Sequence, residues 1–118
     1  MQDFRNLEVA QIAHTLTLAI YRETANFPDS ERFGLTAQLR RSSSSIGANL
    51  AEGCGRGSDI DFARFAQIAM GSASEVEYHL MLSGDLHYQA ESAHDELVRE
   101  LQRVKRMLAA LLKTLRKA

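Results

Sequence analysis

A chain of 118 residues, 45 % of them apolar and 25 % charged, is typical of a globular protein with one hydrophobic core. The composition excludes a disordered chain, a collagen-like chain and a disulfide scaffold, and no apolar run reaches the roughly 20 residues of a membrane span. We expect no cleaved secretion signal, and the single cysteine, Cys54, suits a reducing cytoplasm.

The charge is small in total but unevenly placed along the chain. Lys and Arg number 14 against 15 Asp and Glu, which gives a formal net charge of −1. Residues 99–118 hold seven basic residues and one acidic residue, Glu100, for a charge of +6, and residues 1–98 carry the remaining −7. The near-neutral total therefore does not exclude a nucleic-acid-binding protein, because binding depends on where the charges lie.

The first two predicted helices are read from apolar residues spaced three and four apart. The first stripe comprises Val9, Ile12, Ala13, Leu16 and Ile20. This helix should end near Phe27, because Pro28 disfavours helical geometry in the residue before it. After a polar connector at 29–34, the second stripe comprises Leu35, Leu39, Ser42, Ser43, Ile46 and Leu50. Gly53 is predicted to end the second helix as a left-handed cap.

Two capping patterns introduce the third and fourth predicted helices. Ser58 is predicted to cap the third helix, with Asp61 in its first turn, and Ser92 with Asp95 repeats the pattern after a break at 86–91. The core stripe of the third helix comprises Phe62, Phe65, Ala69, Ser72, Val76, Leu80 and Ser83. The fourth carries a heptad seam of Leu97, Leu101, Val104, Leu108, Leu111 and Leu115.

Four helices of about 20 residues with short connections predict an all-α protein, an antiparallel up-and-down four-helix bundle. We expect residues 1–118 to form this bundle as a single domain. The alternating runs that a sheet would need are absent.

Two uncharged bands predict self-association. Ten residues without charge separate Arg41 from Glu52, and ten more separate Arg64 from Glu75. Each band covers nearly three helical turns, whereas an exposed helix normally has a charged outer face. Close packing between the second and third helices accounts for one face of each band, and a second subunit would cover the others. Further apolar residues beside the last seam favour the same interpretation: Val98, Met107 and Leu112.

Each sequence signature of catalysis or metal binding in this chain is incomplete. The Gly-x-Gly-x-Gly stretch at 53–57 follows a helix and lacks the ending of a nucleotide-binding loop, which favours a helix break over an anion site. Only one Glu-x-x-His motif occurs, ending at His94, so no di-metal site is expected, and one cysteine does not favour a zinc site. The serines at 42–45 have no evident base and orienting acid, and nothing in the spacing requires His79 of the third helix to approach them. We therefore predict no enzyme, metal, cofactor or small-molecule substrate.

The basic residues of the last helix are the strongest candidates for a binding site. With Leu101, Leu108 and Leu115 at heptad position a, Lys105 falls at the side and six basic residues share the outer face: Arg99, Arg103, Arg106, Lys113, Arg116 and Lys117. A solvated face with cations near a helix C-terminus explains this pattern, and so does a phosphate-binding patch. Arg40 and Arg41 would extend the patch.

The stretch QLRRSSSSIGANLAEGCGRGSDIDFARFAQIAMGSASEVEYHL, from Gln38 onward, resembles the 23S rRNA intervening-sequence protein family, small bacterial proteins often labelled ribosomal-protein-like. The block from Ala51-Glu52-Gly53 to Gly71-Ser72 is its most specific part, and Phe27-Pro28 fits the family's first connector. The chain departs from the usual pattern at Gly47, where Pro is common, at Ala66, where Leu is common, and at His87 and Gln89 around Tyr88.

This resemblance implies a bundle that assembles as a ring-like homopentamer and is associated with ribosomal RNA genes, since some members are encoded inside 23S rRNA insertions. The accessory variability protein of diversity-generating retroelements, a similar bundle, forms a pentamer and binds nucleic acid. The resemblance brings no enzymatic activity.

Recurring polar residues within the resemblance need partners if they are buried. We predict a structural network or subunit contact formed by Asn49, Glu52, Ser58, Arg64, Glu75 and Glu77. Glu52 would pair with Arg64 or Arg56, and RNA contact by these arginines is the other interpretation.

Together these observations predict a cytoplasmic, non-enzymatic homo-oligomer, a pentamer as the resemblance implies. We expect it to bind rRNA, another structured nucleic acid or a nucleoprotein through phosphate contacts. Arg40, Arg41 and Arg56 would have a secondary role beside the last helix. A scaffold for another protein, with the basic face on an acidic surface, is the alternative.

Overall fold

The structure, a computed structural model, describes residues 3–117 and consists of four long helices joined by short connectors. The helices are α1 (Glu8–Thr24), α2 (Leu35–Gly55), α3 (Asp59–Asp85) and α4 (Glu91–Lys117), with short 3-10 turns at Phe4–Asn6 and Asp29–Glu31. Each helix packs against the next, and α4 closes the bundle against α1. The molecule measures 45 × 22 × 20 Å. The predicted all-α four-helix bundle is confirmed.

The core consists of the predicted apolar stripes. Leu16, Ile20, Leu39, Ile46 and Leu50 are almost completely buried. On α3 and α4, buried core residues include Ala69, Val76, Leu80, Leu101, Val104 and Leu108. The seam of α4 differs at its end, because Leu112 is buried whereas Leu111 and Leu115 are only partly buried. An α-helix drifts by about 20° per heptad from a strict seven-residue repeat, so Leu111, two heptads after Leu97, has moved by about 40° toward the edge of the buried face, and Leu112 is buried beside it.

The break between α2 and α3 differs from the predicted one in the role of Gly53. The α2 helix continues to Gly55, and the residue with left-handed geometry is Gly57, with φ of +83°. Gly53 is buried where α2 meets α3, and a Cβ there would lie 3.0 Å from both Phe62 Cδ1 and Phe65 Cβ. The prediction of a cap at Gly53 was wrong, because this glycine permits two helices to approach closely.

The two capping predictions have opposite outcomes. Ser58 caps α3, and its hydroxyl accepts a hydrogen bond from the amide of Asp61 at 3.2 Å, as predicted. The cap at Ser92 was wrong, since α4 already begins at Glu91 and the Ala90 carbonyl accepts the first helical bond, from His94, at 2.9 Å. The break between α3 and α4 spans residues 86–90, and His87 within it adopts a left-handed φ of 57°.

The connector between α1 and α2 and the connector between α3 and α4 hold each other in place. Tyr88 packs on Phe27 and donates a hydrogen bond to the Glu31 carboxylate at 2.7 Å. The other Glu31 oxygen accepts the Leu35 amide at 3.1 Å, so Glu31 also caps α2. These bonds lower the pKa of Glu31, with the Tyr88 hydroxyl as the larger cause.

Candidate nucleic-acid interface

The α4 helix is acidic in its first half and basic in its second. Glu91, Asp95, Glu96 and Glu100 lie toward its start, and six of its seven cations follow Glu100. Acidic residues near a helix N-terminus and basic residues near its C-terminus are both favoured by the helix dipole. The burial of Leu97, Leu101, Val104, Leu108 and Leu112 fixes the orientation of α4, so that most of its cations point away from the core.

Five cations form a row on the outward face of α4, named here the basic row: Arg99, Arg103, Arg106, Lys113 and Lys117. All five are exposed, and within residues 3–117 no carboxylate lies within 4.0 Å of them. The row extends along about 27 Å of helix, given a rise of about 1.5 Å per residue. Their charges are therefore available to an external anion.

The two remaining cations of α4 are turned toward α3. Lys105 forms an ion pair with Glu77 at 2.7 Å, and Gln102 donates a second hydrogen bond to the same carboxylate. Lys105, and after it Gln102, lowers the pKa of Glu77. Arg116, predicted on the outer face, is exposed and donates to the Gln67 side chain at 2.7 Å, so it keeps its positive charge beside the basic row.

Arg40, the first of the secondary candidates, is tied to α1. Its guanidinium donates to Thr24 Oγ1 at 2.9 Å and to the Tyr21 carbonyl at 3.1 Å, and it stacks on the Tyr21 ring at 4.7 Å. Arg40 thus satisfies polar groups at the end of α1. Because these contacts hold its guanidinium on α1, Arg40 is not part of the basic row.

Arg41 and Arg56, the other secondary candidates, are paired with acids. Arg41 bonds to Gln38 and to the Glu75 carboxylate, the latter at 3.1 Å. Arg56 pairs with Glu52 at 2.7 Å and stacks on Phe65 at 4.9 Å. Because a carboxylate already neutralises each of them, they contribute less than the basic row to the attraction of phosphates.

The predicted polar network is a set of separate local contacts. Asn49 donates to the backbone carbonyl of Ser45 at 2.8 Å, and the Ser45 hydroxyl bonds to that of Ser72 at 2.9 Å, which joins α2 to α3. Arg64 pairs with Asp61 at 3.5 Å. Glu52 takes Arg56, one of its two predicted partners. Glu75 and Glu77 pair on opposite sides of α3, with Arg41 of α2 and Lys105 of α4.

The other candidate motifs have structural explanations. The hydroxyls of Ser42, Ser43 and Ser44 donate to backbone carbonyls one helical turn earlier. One imidazole nitrogen of His94, Nε2, lies 2.8 Å from the Leu80 carbonyl. No group of three His, Cys, Asp or Glu residues suited to a metal occurs within residues 3–117. Over the same residues, no helix is long and apolar enough to cross a membrane.

The comparison with known proteins decides the family. The 23S rRNA-intervening sequence protein family matches residues 5–110. The chain belongs to this family. A crystal structure of a protein of unknown function from the S23 ribosomal protein family of Bacteroides thetaiotaomicron VPI-5482 is similar to it, with a TM-score of 0.79 and 26 % identity. The similarity covers 89 % of this chain and 98 % of that one. Among curated proteins, none matches the chain.

Membership of the 23S rRNA-intervening sequence protein family agrees with the resemblance drawn from the sequence. Neither the family description nor that of the Bacteroides protein indicates an enzymatic activity. Heptad positions alone predicted that the five cations of the basic row lie on the outer face of α4, together with Arg116.

Proposed function

We propose that this family member is a non-enzymatic, cytoplasmic homo-oligomer that binds the phosphates of structured RNA, or of a nucleoprotein, through the basic row on α4. The observation that carries the proposal is the contrast among the cations. Arg41, Arg56 and Lys105 each have a carboxylate partner, whereas the five cations of the basic row have none within the described chain.

The form of the basic row favours contact with the nucleic-acid backbone. A straight row about 27 Å long suits a regular series of phosphates, whose attraction does not depend on sequence. Single-strand binding usually adds aromatic side chains on which bases stack. The α4 sequence has no Phe, Tyr or Trp, so we expect no base stacking and little sequence preference.

Self-association would raise the affinity of such a site, because linked copies of the row bind the same nucleic acid at high effective concentration. The two uncharged bands support association, as does the exposure of Ile68, Tyr78 and Met81 on α3. A homopentamer is the assembly that the family resemblance suggests.

The proposal is tested by a triple substitution of Arg99, Arg103 and Arg106 to Gln. We expect a large loss of affinity for a structured rRNA fragment at low salt, because three unneutralised charges disappear. The matched control replaces Arg41, Arg56 and Arg64 by Gln, which removes the same charge from cations that already have acidic partners. The control should retain most of the affinity.

Two results would count against the proposal. An equal loss of RNA affinity in both variants would indicate that the binding site includes α2 and α3 and is not confined to the basic row. No binding of wild type to RNA or duplex DNA at low salt would favour the alternative, a scaffold whose basic row binds an acidic protein surface.

A further inference from the structure

An open groove of about 750 Å³ runs between α1 and α2. Its wall includes the apolar side chains of Phe4, Leu18 and Tyr21. Its floor is formed by small residues of α2: Ser44, Gly47, Ala48 and Ala51. Of the residues that line the groove, only Arg5 and His14 can carry a positive charge, and none is acidic.

The outward side of α3 is a second surface that is mainly apolar and carries no unpaired acidic residue. Ile68, Tyr78 and Met81 are each about half exposed, and Gly71 and Ser74 are exposed between them. This surface extends for about 21 Å from Gln67 to Met81. The two acidic residues within that length are both ion-paired, Glu75 with Arg41 of α2 and Glu77 with Lys105 of α4. Apolar side chains therefore stand on a face with no unpaired charge.

We propose that the outward side of α3 in one copy binds the α1–α2 groove of another copy, a contact that rests on the self-association proposed above. The two surfaces are complementary in shape, because large side chains on α3 face a floor of small residues on α2. Contact between them buries no unpaired charge, which would be costly. At one end of the groove lies Arg5, which also pairs with Asp3 at 3.4 Å, and α3 begins at that end of the bundle with Asp59, so Arg5 lies on the same level as an acidic residue of the next copy when copies point the same way.

The two surfaces overlap in height along the bundle. Thr17 of α1 bonds to the Ser43 carbonyl of α2, and Ser45 of α2 bonds to Ser72 of α3, so the part of the groove at Thr17 and Ser44 is level with the part of the α3 surface around Ser72. A rotation about an axis parallel to the helices then brings the shared length of one surface onto the other. Repetition of such a contact closes a ring, whereas a shift would produce a filament. The basic row belongs to neither surface and stays accessible.

The test uses one blocked surface at a time. Gly47→Arg fills the groove floor, and Gly71→Arg places a long charged side chain on the α3 surface. A Cβ at either position meets no atom within 4 Å, and both positions are inside helices, where Arg is favoured over Gly, so each folded subunit should accept its substitution. By light scattering, wild type should be oligomeric and each variant alone monomeric.

The decisive sample is an equimolar mixture of the two variants. Gly47→Arg keeps an intact α3 surface and Gly71→Arg keeps an intact groove, so the mixture should form a complex of two subunits and no larger species. Ala110→Arg, on the exposed side of α4, is the control and should keep the wild-type mass. Ala48→Arg and Ser74→Arg repeat the experiment at neighbouring exposed positions, and circular dichroism verifies that every variant is folded.

A mixture that stays monomeric would overturn the proposal, as would wild-type mass in both variants. Dissociation by Gly71→Arg alone would indicate a contact between two α3 surfaces instead. A monomeric wild type would defeat the proposed self-association itself, whereas phosphate binding by the basic row is measured separately by the RNA titration above.

Discussion

Gly53→Ala should destabilise the protein although alanine is the better helix former. The substitution inside α2 would gain about 1 kcal/mol of helix propensity. Its new Cβ would lie 3.0 Å from Phe62 Cδ1 and Phe65 Cβ, closer than the roughly 3.5–4.0 Å of favourable carbon contacts. The Phe62 ring can turn, but Phe65 Cβ is fixed to the α3 backbone, so the helices must separate. Overpacking of this kind costs about 1–3 kcal/mol. The net loss should be about 1 kcal/mol.

Urea unfolding followed by circular dichroism, at one protein concentration for all variants, measures this difference. Gly55→Ala is the matched control, since it lies two residues later in α2 and its Cβ meets no atom within 4 Å. The control should be unchanged or more stable by up to about 1 kcal/mol. If Gly53→Ala were stabilised as much as Gly55→Ala, the close approach of α2 and α3 at this glycine would be refuted.

Three further predictions concern the ends and the register of the helices. The pKa of Glu31 is lowered, mainly by the Tyr88 hydroxyl, so its stabilisation is present above its usual value near 4.5 and is lost as the pH falls through the lower folded value. Acid titration of the free energy of unfolding should therefore show a shallower decline for Glu31→Gln than for wild type, and equal slopes would contradict the assignment. Ser58→Ala should cost about 1 kcal/mol through loss of the α3 cap, measured by thermal unfolding, and no change would mean that the cap is not formed. Leu112→Ala should cost about 2–5 kcal/mol, and Leu115→Ala clearly less, because only Leu112 is buried; the reverse order in urea unfolding would restore the strict heptad seam.

Features that depend on residues close in sequence were predictable. The apolar stripes identify the buried face of each helix. Ser58 accepts a hydrogen bond from the amide of Asp61, only three residues later, so its role as the cap of α3 is visible in the sequence. The outward position of the basic row follows from the same periodicity. Local reasoning was therefore sufficient for the fold class and for the principal candidate site.

Features that depend on contacts between helices were not predictable. In the sequence, Gly53 is typical of a residue that ends a helix. Its actual role, to permit close packing of α2 on α3, depends on Phe62 and Phe65 of the other helix. The partner of Arg40 is Thr24, 16 residues earlier, and no spacing rule indicates it. Likewise, a strict heptad pattern places Leu111 in the seam, whereas the drift of a straight helix moves Leu111 to the edge of the buried face and Leu112 is buried instead.

The central claim is that the basic row binds phosphates, and the salt dependence of binding tests it most directly. The association constant of wild type for a structured rRNA stem should be measured at several salt concentrations between 50 and 200 mM. If all five cations of one subunit contact phosphates, the slope of log K against log salt should be about −4.5, a loss of about 500-fold across this range. A slope near zero, or no binding at the lowest salt concentration, would contradict the account.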